Sequence, residues 1–149
     1  MKNTVDIQVV PIGADQIDAL RLSLERAGLP TADLVLPARR FFRFDYEGVP
    51  LGYGGLEGQG QDVLLRSLVI ESEKRGQGWG AAVLEQMEAM AATFGAIKLH
   101  LLTNTAANFF KAHGYSECPR ALAPDHINQS EQFKSLCPST ATYLAKTIA

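Results

Sequence analysis

The sequence is short of several features that would point to particular functions. It has two cysteines, Cys118 and Cys137, in 149 residues. Two thiols make no visible disulfide framework, and their spacing suits no metal site. Basic residues do not exceed acidic ones (14 against 16), which leaves a formal net charge of -2. That balance argues against nucleic acid or an anionic membrane as partner. No apolar run approaches the roughly 20 residues of a membrane span. The opening stretch "MKNTVDIQVVPIGADQ" has no apolar segment long enough for a signal peptide. The expectation is a cytoplasmic protein with free thiols. There is no linker rich in Pro, Gly or Ser and no internal repeat, so residues 1–149 are expected to form one domain. A hydrophobic content of 46% and a charged content of 20% are ordinary for a packed globular chain.

Alternation and punctuation supply an element order. Val5, Ile7 and Val9 alternate as in a strand. Asp15 is placed as a helix N-cap, and Ile17, Leu20, Leu24 and Ala27 follow at helical spacing until Gly28 and Pro30. "TADLVL" reads as one more helical turn before Pro37. The stretch from Arg39 to Ile70 reads as a three-stranded antiparallel meander with turns near Gly48 and Gly60. Its last strand, Val63 to Ile70, is almost continuously apolar and should be central, covered on both faces. A helix is predicted from Gly78 to about Phe94, with Val83, Leu84, Met87 and Ala91 on one stripe. "IKLHLLT" is a strand, "AANFFKAH" a short helix, "YSEC" the start of a strand, "APDHINQSEQFKSL" helical or irregular, and "STATYLAKTI" a final strand. The expected class is α/β (α+β): a mixed central sheet of six to seven strands flanked by about four helices.

Three glycines, Gly76, Gly78 and Gly80, open the second long helix. A helix start offers unpartnered N–H groups and partial positive charge, which suits a phosphate. Glycine lets the backbone approach a ligand closely, and Arg75 adds a full charge. The same glycines could simply shape a tight strand-to-helix connection. A Walker A loop is excluded because no Gly-Lys-Ser or Gly-Lys-Thr follows. A dinucleotide fingerprint is matched formally by Gly76, Gly78 and Ala81, but polar "ESEKR" separates it from its strand and "IKLHLLTN" ends without the acidic residue that fingerprint wants.

"LVIESEKRGQGWGAAVLEQM" resembles the acetyl-CoA-binding motif of the GCN5-related N-acetyltransferases (GNAT), with Arg75, Gly78 and Gly80 on its pattern. "TNTAANFFKAHGY" resembles the family's second signature, and the element order matches that fold over nearly the whole chain. "AGLPTADL", "LLRSL", "LLTNTAANFFKAHGY" and "SLCPST" together resemble a subgroup encoded with arsenic-resistance genes. The resemblance implies direct acetyl transfer from acetyl-CoA to the amine of a small molecule, possible dimer formation and no metal. A non-catalytic acyl-CoA-binding module is the alternative.

The resemblance also assigns residues. Gly76, Gln77, Gly78, Trp79, Gly80 and Ala81, with Arg75, would bind the coenzyme's diphosphate. Leu68, Val69 and Ile70 would line its pantetheine arm and donate an N–H to the thioester oxygen. Thr103, Ala106, Phe109 and Phe110 would complete the cofactor site. Glu57 falls where several relatives place a base; beside Gly58 it also reads as a solvated turn residue. Many relatives carry an acidic Tyr where this chain has Phe110, so water, Tyr115, Tyr143 or an unassisted thiolate must serve, and Tyr115 is taken as the candidate. Arg66 lies inside an apolar strand, where a charge is costly unless paired. It is either bridged to a buried carboxylate or clamps an acceptor's anionic group. Cys137 is assigned to the acceptor pocket, either as an inert buried thiol or as a reactive one. Trp79 is expected to be exposed at the helix start, either packed against the neighbouring element or covering the cofactor. His100 is expected to be half-buried, and no histidine has a partner visible in sequence.

Overall fold

The computed structural model describes residues 6–35, 37–136 and 140–148. Seven strands form one sheet in the order β1-β2-β3-β4-β5-β7-β6. They are β1 (Ile7–Pro11), β2 (Arg39–Tyr46), β3 (Val49–Glu57), β4 (Asp62–Ile70), β5 (Lys98–Thr103), β6 (Ser116–Glu117) and β7 (Thr142–Thr147). The helices are α1 (Ile17–Arg26), α2 (Trp79–Thr93), α3 (Ala107–Ala112) and α4 (Asp125–Asn128), with short 3-10 turns and a π turn between them. The mixed sheet and the predicted element order are both present. β2, β3 and β4 form the expected antiparallel meander. β4 stands fourth of seven strands, and the run from Val63 to Arg66 is buried throughout. A strand covered on both faces has no need of polar alternation, which is why its sequence is so apolar.

Side-chain alternation sorts the core into layers. On one face Leu20 and Leu24 of α1 pack with Phe41, Tyr53 and Val69. On the other, Val83 and Met87 of α2 pack with Phe42, Phe44, Leu65 and Leu99. A third cluster covers the far end of the α1 face: Leu64, Tyr143 and Ala145 under Ile127 and Phe133. Among the described residues, no helix is long and apolar enough to cross a membrane.

Two local expectations need correction. Asp15 does not cap α1: it lies within a 3-10 turn, Ala14–Gln16, and α1 starts at Ile17 with no side-chain cap hydrogen bond. Residues 32–35 form turns rather than a helical segment, and Leu36 lies outside the described residues. The reason is long-range. Asp33 is drawn down onto the sheet by two arginines, and Leu34 is buried beside it.

Candidate active site

β4 and β5 run parallel but pair only at Asp62–Leu64 with Lys98–His100. Beyond that vertex they separate. β4 carries a bulge there: Gly55 pairs with Arg66 and Tyr53 with Val69, so Ser67 and Leu68 both stand opposite Gly54. Ser67 takes φ of 57°, a left-handed value uncommon for serine. Such a bulge re-aims backbone groups at the point where a ladder ends. Gly52 allows β3 to follow the distorted strand, because a Cβ there would collide with the Val69 carbonyl oxygen. The result is a cleft of about 490 Å³ between β4 and β5. Its walls include Ser67 to Ile70 on one side and Leu101 to Thr103 on the other, with Ala106, Phe109 and Phe110 of the α3 region behind.

The glycine loop stands at one end of this cleft. Gly78 is the N-cap of α2 with φ of 84°, and Gly76 has φ of 76°. A side chain at either position would be strained. The first turn of α2 contains no acidic residue that would compete for an anion. Arg75 and Gly80 both line the cleft, and Arg75 Nε donates to the Ile70 carbonyl at 2.9 Å, tying the loop to the end of β4. A narrow slot between two strands, closed at one end by a helix N-terminus and an arginine, fits an extended ligand with a phosphate-bearing end.

A buried charge cluster borders the slot on the α1 face. Arg66 donates to both Asp33 oxygens at 2.6 Å, to Glu57 at 2.8 Å and to Ser67 Oγ at 3.2 Å. Arg39 donates to Asp33 at 2.9 Å and lies 3.5 Å from Glu57. Burial alone would push the Asp33 carboxyl up, but the hydrogen bonds and charges of Arg66, then Arg39, outweigh it and hold it below its ordinary value.

A sequence model described as "Acetyltransferase (GNAT) domain" matches residues 37–117, which run from the start of β2 to β6 and contain both walls of the slot and the glycine loop. The chain belongs to the GNAT acetyltransferase family. Solved structures agree on the fold. N-acetylglutamate synthase from Neisseria gonorrhoeae, complexed with coenzyme A and L-arginine, is similar with a TM-score of 0.76 at 12% identity, over 95% of this chain. This chain spans 33% of that longer protein. A GNAT family acetyltransferase from Elizabethkingia anophelis with acetyl-CoA bound gives 0.67 at 14% identity, over 95% of this chain and 98% of that one. The ribosomal-protein-S18-alanine N-acetyltransferase from Escherichia coli gives 0.71 at 14%, over 96% and 94%.

This GNAT domain brings most of the expected cofactor residues together. Leu68, Val69, Ile70, Arg75, Gly80, Thr103, Ala106, Phe109 and Phe110 all line the slot, as does Arg66. Gly76, Gln77, Gly78 and Ala81 belong to the loop and first helical turn at its end. Trp79 is buried rather than exposed, and it packs against the neighbouring strand, its ring centroid 4.9 Å from that of Tyr46. The helix turns its N1 side chain inward, so what that position presents to the loop is backbone. Residues 26, 27 and 29 at the end of α1 also line the slot. Sequence reading missed them, because nothing local marks a helix end as the rim of a distant cleft.

The two expected catalytic side chains lie elsewhere. Glu57 is buried, with one oxygen on Arg66 and the other facing Arg39, and is not part of the slot lining. Tyr115 is buried on the α2 face and donates to Glu88 at 2.8 Å; burial first, then the Glu88 charge, pushes its hydroxyl well above the ordinary value. Cys137 lies outside the described residues. Among the described residues, no group of three or more His, Cys, Asp or Glu side chains could hold a metal ion.

His100 also departs from expectation. It is 1% exposed and bonded at both ring nitrogens, to Asp62 and to the Tyr143 hydroxyl, each at 2.7 Å. Burial pushes its pKa below 6.5 despite Asp62. The folded protein therefore resists a proton that the unfolded chain accepts, and stability falls as pH drops through the unfolded value. Asp33 has a depressed folded pKa, so its contribution is present above the unfolded value of 3.8 and lost on further acidification. Urea midpoints are expected to fall in two steps, one below about pH 6.5 and one below about pH 4. A midpoint that stays flat down to about pH 5 would contradict a neutral buried His100.

Proposed function

We propose that this protein moves the acetyl group of acetyl-CoA directly to the amine of a small molecule. The observation that carries this is the slot between β4 and β5, ended by the glycine loop of α2, in a chain of the GNAT family. Backbone amides from Gly76 to Ala81, with Arg75, hold the diphosphate. Open backbone groups of β4 beyond the vertex pair with the pantetheine arm. An N–H near the Ser67 bulge donates to the carbonyl oxygen as charge develops on it. Holding both reactants in one slot supplies much of the acceleration. Phe110 gives the slot an apolar wall and has no proton to donate.

The finer reading is an amino-acid-like acceptor bearing an arsenic or phosphorus acid, supported by the resemblance of "LLRSL" and "AGLPTADL" to the arsenic-associated subgroup. Arg66 reaches the slot with four of its hydrogen bonds already given to Asp33, Glu57 and Ser67. The fully buried Arg66 guanidinium is thereby committed to the cluster and holds the wall of the slot rather than an acceptor's anionic end. Arg26 at the rim stands outside that cluster.

The test is thiol release from acetyl-CoA in the presence of amino acids and their phosphinic and arsinic analogues. Release that depends on an amine supports the reading. A coenzyme A thermal shift with no release favours an acyl-CoA sensor. Glu57→Gln separates two roles for that carboxylate. A base would lose about 10²–10⁴ in kcat with stability kept. A cluster member loses stability with kcat kept, and that is the expected result.

A further inference from the structure

Strand register fixes which way the backbone groups of the β4 bulge face. The Lys98 N–H donates to the Gln61 carbonyl at 2.9 Å, so Gln61 faces β5. Backbone groups alternate sides along a strand, so residues 63, 65 and 67 face the β5 side as well. Just past the other end of β4, the Glu71 N–H donates to the Leu51 carbonyl of β3 at 2.8 Å. The Ile70 carbonyl faces the opposite way and accepts from Arg75. By the same alternation Leu68 also faces away from β3, into the slot. The two alternations meet at the bulge, where Ser67 and Leu68 both stand opposite Gly54. Two successive N–H groups are thereby turned to the slot side, an arrangement that suits negative charge.

Ser67 adds a third group. It is 7% exposed and lines the slot. Its Oγ accepts from Arg66 Nε at 3.2 Å. A guanidinium only donates, so the Ser67 proton cannot go to Arg66. Among the described residues the hydroxyl donates to no other group. Asp33 takes both terminal nitrogens of Arg66 and Glu57 takes one of them again, which fixes Nε–H and with it the Ser67 oxygen. Accepting from a full positive charge makes the hydroxyl a stronger donor. Serine is also an unusual residue for this position. Its φ of 57° suits glycine, the common first residue of a bulge with that geometry. A side chain kept in the slot wall where glycine would fit better points to a use for that side chain.

Building on the acetyl-transfer reading, we propose that the Ser67 hydroxyl is a catalytic hydrogen-bond donor to the oxygen of the reacting thioester, beside the N–H groups of Ser67 and Leu68. The neutral amine nitrogen bonds to the carbonyl carbon. One electron pair of the carbon–oxygen double bond moves to the oxygen, and the three donors hold the charge that develops there. The pair returns when the carbon–sulfur bond breaks, and the sulfur leaves as a thiolate. The extra proton on the nitrogen passes to water. The products are an amide and a thiolate, and Ser67 keeps its own proton throughout.

Two variants and one spectrum test this. Ser67→Gly removes the hydroxyl and suits the left-handed φ; Ser67→Ala removes it and keeps the Cβ. Each should lower kcat about 100-fold or more while KM for acetyl-CoA changes less than about threefold. The thermal shift given by coenzyme A should be kept in both. A residue that only shapes the bulge would give way to glycine with no loss of kcat. In the wild-type protein, the isotope-labelled carbonyl stretch of bound acetyl-CoA, with no amine present, should lie below its frequency in water and move back up in either variant. A wild-type band at or above the water value overturns the proposal, even where neither variant folds. Retention of kcat within about threefold in Ser67→Gly overturns it while leaving acetyl transfer intact, and so does a loss carried by KM alone. A wild-type protein that releases no thiol with any amine of the panel overturns both.

Discussion

Asp33→Ala is expected to remove about 3 kcal/mol of stability at pH 7, the lower end of the cost of breaking a buried ion pair. Its carboxylate accepts from both terminal nitrogens of Arg66 at 2.6 Å and from Arg39 at 2.9 Å. The Arg66 side chain is fully buried, so no water can replace the lost acceptor. Glu57 still bonds Arg66, which keeps the loss from being larger. Asp33 also ties the turns at 32–35 to the sheet, with buried Leu34 following them. For a chain of this size the thermal midpoint should fall by about 6–12 °C. Asp33→Asn keeps one acceptor and should cost less. A fall below about 1 kcal/mol for the alanine variant would mean that water reaches the cluster.

The second large effect concerns the coenzyme. Coenzyme A at about 100 times its dissociation constant should stabilise the wild-type protein by about 2.7 kcal/mol, a rise of roughly 5–11 °C. Gly80→Glu should abolish most of that rise. Gly80 lines the slot in the first turn of α2, and a Cβ there would meet the Phe109 ring at 3.4 Å, which the ring can accommodate. An acidic residue in a first helical turn suits the helix dipole. The variant should therefore fold at least as well as the wild type, while its carboxylate repels the diphosphate. NAD should shift neither protein. A full coenzyme A shift in Gly80→Glu would show that the diphosphate binds elsewhere.

The fold was legible because its signals are local. The apolar run of β4, the turns around Gly48 and Gly60 and the stripe of α2 each lie within a dozen or so residues. The glycine loop was legible for the same reason: the start of a helix is made by consecutive residues. Trp79 was misread because which side of α2 faces the core depends on Tyr46, from another strand. Asp33 was missed altogether. It sits in a polar stretch between a helix and a strand, where a carboxylate ordinarily faces water.

The sequence by itself determined the order of elements, the central strand and the glycine loop at the start of α2. It also posed the question of Arg66: a guanidinium in an apolar strand must have a partner. Only the tertiary structure decided which partner. Asp33 is 33 positions away and Glu57 nine, and strand register together with the path of the α1–β2 connection brings them to one point. The same holds for Asp62, His100 and Tyr143, which come from three strands. Hydrogen bonds between side chains are short-ranged, so their energy belongs to neighbours in space. A linear sequence specifies those neighbours only after the sheet has set its register.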